Sequence, residues 1–166
     1  CMEKALQVLN ELERNGELGR YAIGGAMAAT FYIEPVLTFD LDIFVVLPEA
    51  AGGLLTLAPL YQALRTRGYT AEGDCVMIES IPVQFLPAFN PLLEEALAEA
   101  RNVTYGETPT RVLRIEHLAA IAVQTGRAKD RQRVALFADG AEMDQPLLKS
   151  ILERYGLETK WAEWMG

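Results

Sequence analysis

Two carboxylates, Asp40 and Asp42, stand at the head of the apolar run "TFDLDIFVV", residues 38–46. Acids are rarely left inside a core without a partner. In a strand, residues i and i+2 share a face, about 6.5 Å apart along the chain. Asp40 and Asp42 therefore point one way, and Leu41 and Ile43 the other. Like charges at that spacing repel by about 2.5 kcal/mol at an effective dielectric of about 20. A hard divalent cation between them removes the repulsion and suits oxygen donors. The plainer alternative is that one acid caps a loop while the other pairs with an arginine.

Upstream lies "AIGGAMA", a short strand running into Gly24-Gly25 and then a helix. Glycines let a phosphate approach the backbone, and a helix start offers free N–H groups. Alone, such small residues serve equally as turn or packing devices. Followed within about fifteen residues by T-x-D-x-D on a strand, they form a more specific pattern. A third group is "TGRAKDRQR", residues 125–133, with Arg127, Lys129, Arg131 and Arg133. It reads either as a solvated helix start or as a cationic clamp on phosphates.

The elements that must position these residues follow from periodicity and punctuation. Residues 3–15 predict a helix, with Leu6, Leu9 and Leu12 on one face and Gly16 as its stop. Residues 20–25 predict a strand, 26–34 a helix ended by Pro35, and 39–47 a strand ended by Pro48. A loop and helix fill 50–68, with Pro59 near the helix start. Strand-like runs follow at 69–72, 75–79 and 81–86, joined by hairpin-like bends at Gly73-Asp74 and Ser80. Residues 91–101 predict a helix led by Pro91, and "NVTYGETPTRVLRI" one or two short extended pieces. Helices are expected at 116–125, 128–138 and 145–155, the last capped by Asp144, before a short tail. The order implies a mixed sheet with helices packed on it and a helical C-terminal part, an α+β protein. We divide it at residue 112, an α/β core over 1–112 and a helical region over 113–166, packed as one compact domain.

Composition narrows the function classes. Fifteen basic residues against 23 acidic ones give a net charge of -8, which argues against a bulk nucleic-acid binder. His117 is the only histidine, so His-rich zinc sites and Ser-His-Asp or Cys-His catalysis are disfavoured. No apolar run is long enough to span a membrane, and the first residues read as a charged amphipathic helix rather than a signal peptide. With only Cys1 and Cys75 available, a reduced cytoplasmic protein is the expectation.

"IGGAMAATFY…TFDLDIFVV" resembles the core motif of the nucleotidyltransferase fold, the polymerase-beta-like superfamily, which includes small bacterial and toxin-type enzymes. The motif covers residues 20–47 well, and the sheet to about residue 90 matches in pattern. The resemblance implies a mixed-sheet nucleotidyltransferase core with flanking helices. It implies that Gly24, Gly25 and Thr38 contact a nucleoside triphosphate and that Asp40 and Asp42 hold catalytic Mg²⁺ or Mn²⁺. It also implies that Lys129 reaches the triphosphate, that Asp130 braces Lys129 or an arginine, and that Arg127 is a further phosphate contact. Phe31, Tyr32, Phe39 and Phe44 read chiefly as core, with one of them a possible base-stacking ring.

The family usually places a third acid on a later strand. In "IPVQFLP", period-two counting puts Pro82, Gln84 and Leu86 on one face, so Gln84 occupies that place. A glutamine amide hydrogen-bonds but cannot act as a general base. The enzyme then works with two acids, or borrows Glu79 or Glu34, or has lost catalysis. We expect a Mg-dependent nucleotidyltransferase acting on an unidentified hydroxyl acceptor, be it a small molecule, RNA or protein. The alternative is a degenerate nucleotide- or protein-binding module with a cognate partner, as in toxin–antitoxin pairs. A D-x-D phosphatase is disfavoured, because there the apolar strand precedes the acids.

Overall fold

The computed structural model describes residues 1–32, 40–46, 56–140 and 142–166. Among the described residues, seven strands form one mixed sheet: β1 (Tyr21–Gly24), β2 (Leu41–Val45), β3 (Ala71–Glu72), β4 (Cys75–Ile78), β5 (Ile81–Pro87), β6 (Arg101–Tyr105) and β7 (Thr108–Val112). Their order across the sheet is β3-β4-β5-β2-β1-β7-β6. The central pair, β1 and β2, is antiparallel and sets Gly24 opposite Asp42. β5 runs parallel to β2 and sets Gln84 opposite Asp42 from the other side. The expected α+β class is therefore the observed one.

The helices are α1 (Met2–Arg14), α2 (Gly25–Ala29), α3 (Ala58–Thr66), α4 (Pro91–Ala98), α5 (Ile115–Thr125), α6 (Ala128–Gly140), α7 (Gln145–Arg154) and α8 (Glu158–Met165). α1 buries Ala5, Leu6, Leu9 and Leu12 at helical spacing. α4 begins with Pro91 behind Asn90, whose side chain accepts the Leu93 N–H at 2.9 Å. Asp144 caps α7 as expected, accepting from the Leu147 N–H. The turn at Glu79-Ser80 has φ of +50° and +68°, the primed geometry that matches strand twist in a two-residue hairpin.

Three expectations need correction. α2 ends at Ala29 rather than running to residue 34, and the Thr30 hydroxyl donates back to the Met27 carbonyl at the end of it. α4 ends at Ala98, because Arg101 already belongs to the edge strand β6. The terminal tail is itself a helix, α8.

The core alternates with the site along β2. Leu41, Ile43 and Val45 are fully buried beneath the sheet, while Asp42 and Phe44 are turned to the other face. On β5, Val83 and Phe85 are buried and Gln84 and Leu86 stand beside Asp42 and Phe44. α5 and α7 close the C-terminal side through a polar link on Glu95 of α4. Nε2 of His117, 1% exposed, donates to Glu95 Oε2 at 2.7 Å, and Arg154 Nη2 donates to both Glu95 oxygens at 2.8 Å. His117 is thus used in packing, and its buried Nδ1 has no hydrogen-bond partner among the described residues.

Candidate active site

One cleft of about 460 Å³ gathers most of the residues singled out in the sequence. Its sheet wall carries Gly25, Asp40, Asp42, Phe44 and Gln84, and its helical wall carries Arg127, Lys129, Asp130 and Arg133. The first wall is built by register: Gly24, Asp42 and Gln84 come from three neighbouring strands and lie in one row. Asp40 lies just before β2, two residues from Asp42, so both acids reach the same space.

Gly25 makes room for Asp42. Its φ is +59°, a region that side chains rarely adopt, and a Cβ there would collide with the Asp42 carboxylate, 2.9 Å from its Cγ. A Cβ on Gly24 would overlap the Phe44 ring. Both glycines thus keep the space in which the acid and ring sit. Burial pushes the Asp42 carboxyl above its usual range; Arg133 pulls it down, Asp40 pushes it up, and Lys129 and Arg127 pull it down further. A carboxyl so placed gains from a cation in front of it.

The second wall depends on a glycine turn and a buried acid. Gly126, at φ +79°, ends α5 in the left-handed conformation, and α6 starts two residues later. Asp130, 2% exposed, accepts from Arg127 Nε at 2.7 Å and faces Arg133 Nη1 at 3.7 Å. It braces two arginines rather than Lys129. Lys129 and Arg133 are one helical turn apart on α6, so both face the cleft, while Arg131 is exposed and does not line it.

The donor set fits a hard divalent cation as a two-carboxylate site, since Asp40 and Asp42 both line the cleft. Among the described residues, no group of three or more His, Cys, Asp and Glu gathers to hold a metal. Glu79 does not supply the third: it sits in the β4–β5 turn and accepts the Tyr69 hydroxyl at 3.0 Å. Thr38, Glu34 and Phe39 lie outside the described residues. Tyr32 donates to the Leu113 carbonyl, and Phe31 packs on the core, so neither of them lines the cleft.

Sequence reading missed part of this cleft. Arg133 was one of a charge run, although its four-residue spacing from Lys129 could have marked it. Leu86, Pro87, Leu93, Leu118 and Ile121 add apolar lining, and the exposed Phe89 borders the same cleft. Nothing local distinguishes these from ordinary core residues. Gln84 also borders a second, more open cleft with Tyr61, Arg65, Asp74 and Cys75. Cys1 and Cys75 are both free thiols, and no helix among the described residues is long and apolar enough to cross a membrane.

No protein-family model matches the chain, and no curated protein matches it by sequence. Solved structures do. The crystal structure of ANT(2")-Ia in complex with adenylyl-2"-tobramycin is similar at 20% identity and a TM-score of 0.53, over 93% of this chain and 96% of that one. An antigenic nucleotidyltransferase-like protein from Paracoccidioides brasiliensis is similar at 13% identity and a TM-score of 0.56, over 95% of this chain and 91% of that one. The strand order, the near-complete coverage and these two likenesses together show that the chain has the nucleotidyltransferase fold.

Proposed function

We propose that the protein transfers a nucleotidyl group from a nucleoside triphosphate to a hydroxyl acceptor, with Mg²⁺ or Mn²⁺ held by Asp40 and Asp42. The observation that carries this reading is a single cleft with two unlike walls: paired acids beside the Gly25 turn face Arg127, Lys129 and Arg133. A triphosphate needs both, since its charge is met partly by metal and partly by fixed cations. The fold likeness supports it further, because the similar ANT(2")-Ia structure holds an adenylylated compound.

A bound divalent cation would neutralise charge on the α-phosphate and the leaving pyrophosphate. The protein's own residues do the positioning. Gly25 lines the cleft and, with Gly24, leaves room for the Asp42 carboxylate and the Phe44 ring, while Lys129 and Arg133 bind phosphate oxygens. Asp130 holds Arg127 in place. Gln84, opposite Asp42, can orient the acceptor hydroxyl by hydrogen bonding but cannot take its proton, which leaves to solvent.

Incubation with labelled triphosphates, Mg²⁺ or Mn²⁺ and panels of aminoglycosides, RNAs and proteins tests the reading. Label transfer with pyrophosphate release is expected, and its loss in Asp40→Asn and Asp42→Asn. Unchanged transfer in both variants would remove the acids from the chemistry.

Gln84 favours one rival, a binding module without turnover that acts with a cognate partner. Stabilisation by Mg²⁺–ATP with no transfer to any acceptor is its expected signature.

A further inference from the structure

The cleft has charged and apolar side chains in its lining, and an exposed aromatic ring borders it. Phe89 is 77% exposed, more than any other large hydrophobic residue described. It is not on a loose loop. The preceding Ala88 N–H donates to the Val45 carbonyl at 2.9 Å. The following Asn90 caps α4, and its Nδ2 donates to Gln124 Oε1 at 3.0 Å. Both neighbours are fastened, Ala88 to β2 and Asn90 to α5, so the backbone that carries the ring is held beside the cleft.

The distances run in the right direction. From Gln84, opposite Asp42, Leu86 lies two residues on along the same face, about 6.5 Å away. Phe89 follows three residues later, beyond the end of β5. The cleft that joins the acids and cations to this ring thus also carries the apolar side chains of Leu86, Leu93 and Ile121. A nucleoside triphosphate has the same polarity, an anionic tail joined through a sugar to a flat apolar ring.

Resting on the reading above, we propose that Phe89 is the stacking platform for the nucleobase of the triphosphate. Stacking on an aromatic face is open to every base and grows with ring overlap, so purine triphosphates bind better than pyrimidine ones. Gln124 adds a base-edge contact: its carbonyl is engaged by Asn90, which turns its amide N–H groups outward as donors.

Binding is measured by calorimetry on wild type, Phe89→Ala and Phe89→Trp, using Mg²⁺ with ATP, GTP, CTP, UTP and inorganic tripolyphosphate. Tripolyphosphate carries the tail without the base. Wild type is expected to bind ATP and GTP more tightly than CTP and UTP, and all four more tightly than tripolyphosphate. Phe89→Ala should weaken ATP about 5- to 100-fold and leave tripolyphosphate unchanged, while Phe89→Trp keeps ATP binding. Equal ATP affinity in wild type and Phe89→Ala would overturn the platform, as would a parallel loss of ATP and tripolyphosphate. Failure of wild type to bind either ligand would instead overturn the underlying nucleotide reading, and the platform with it. Because Phe89 is exposed, melting curves of the variants are expected to match wild type, so the comparison is one of binding alone.

Discussion

Gly25 and the carboxylate of Asp42 occupy each other's space: a Cβ on the glycine would stand 2.9 Å from the Asp42 Cγ. The backbone there is at φ +59°, so alanine faces both a collision and a disfavoured conformation. Gly25→Ala is expected to cost about 1–3 kcal/mol of stability. It should also abolish Mg²⁺-dependent stabilisation by ATP, because the acid must swing away. Melting curves with and without Mg²⁺–ATP read both effects. A variant that loses stability yet keeps its full response to nucleotide would detach Asp42 from the binding site.

Gln84 stands opposite Asp42 on the parallel strand. Gln84→Glu places a third carboxylate beside Asp40 and Asp42. Without divalent cation the added repulsion should lower Tm by about 2–4 °C, equivalent to about 1 kcal/mol. With Mg²⁺ or Mn²⁺ the variant should gain more stability than wild type does. Under the proposed function its transfer rate rises as well. An identical cation response in the two proteins would place the metal away from this row.

Asp130 is a buried acid shared by two arginines. Asp130→Asn keeps the shape and removes the charge. We expect a loss of about 1–2 kcal/mol, kept small because the Arg127 side chain it abandons is 57% exposed. Affinity for tripolyphosphate should fall several-fold as Arg127 loses its position. Asp130→Glu, which retains charge at a longer reach, should recover part of that affinity.

Acid should loosen the C-terminal helices first. Burial pushes the Glu95 carboxyl up, but hydrogen bonds from His117, Arg154 and Tyr155 outweigh it and hold the group below its ordinary range. A depressed acid stabilises the fold above its unfolded value, and that contribution is lost as pH falls through the folded value. Tm should therefore drop in the pH region below about 4.3, the ordinary glutamate value. Glu95→Gln should flatten this limb and cost about 1 kcal/mol at neutral pH, a figure limited by the 45% exposure of Arg154. Circular dichroism melts from pH 3 to 7, stepped by about half a unit across the window, make the comparison.

The central row was legible because local signals coincided with tertiary ones. Gly24-Gly25, the alternation in "DLDIFV" and the period-two count to Gln84 each depend on neighbours along the chain. β7 was harder. Thr108–Val112 contains Pro109 and two threonines, and its place was decided by pairing with β1, Ile23 beside Val112. The helical wall was legible as charge but not as geometry, since which cations face inward depends on the turn at Gly126. Phe89 left no signal at all. An exposed aromatic reads like a buried one until the surrounding surface is known.

Sheet order also bears on synthesis at the ribosome. β1 lies between β2, which follows it closely, and β7, whose Val112 emerges 89 residues after Ile23. Lys129 is made 87 residues after Asp42. At about 5–20 residues per second, the acids wait roughly 4–17 s for the cations that face them. During that interval the strand beside the glycines has an open edge, and the cleft lacks its helical wall. A growing chain therefore has its acids well before its cations, and under the proposed function nucleotide can stabilise only the product whose last strand and helices have already closed.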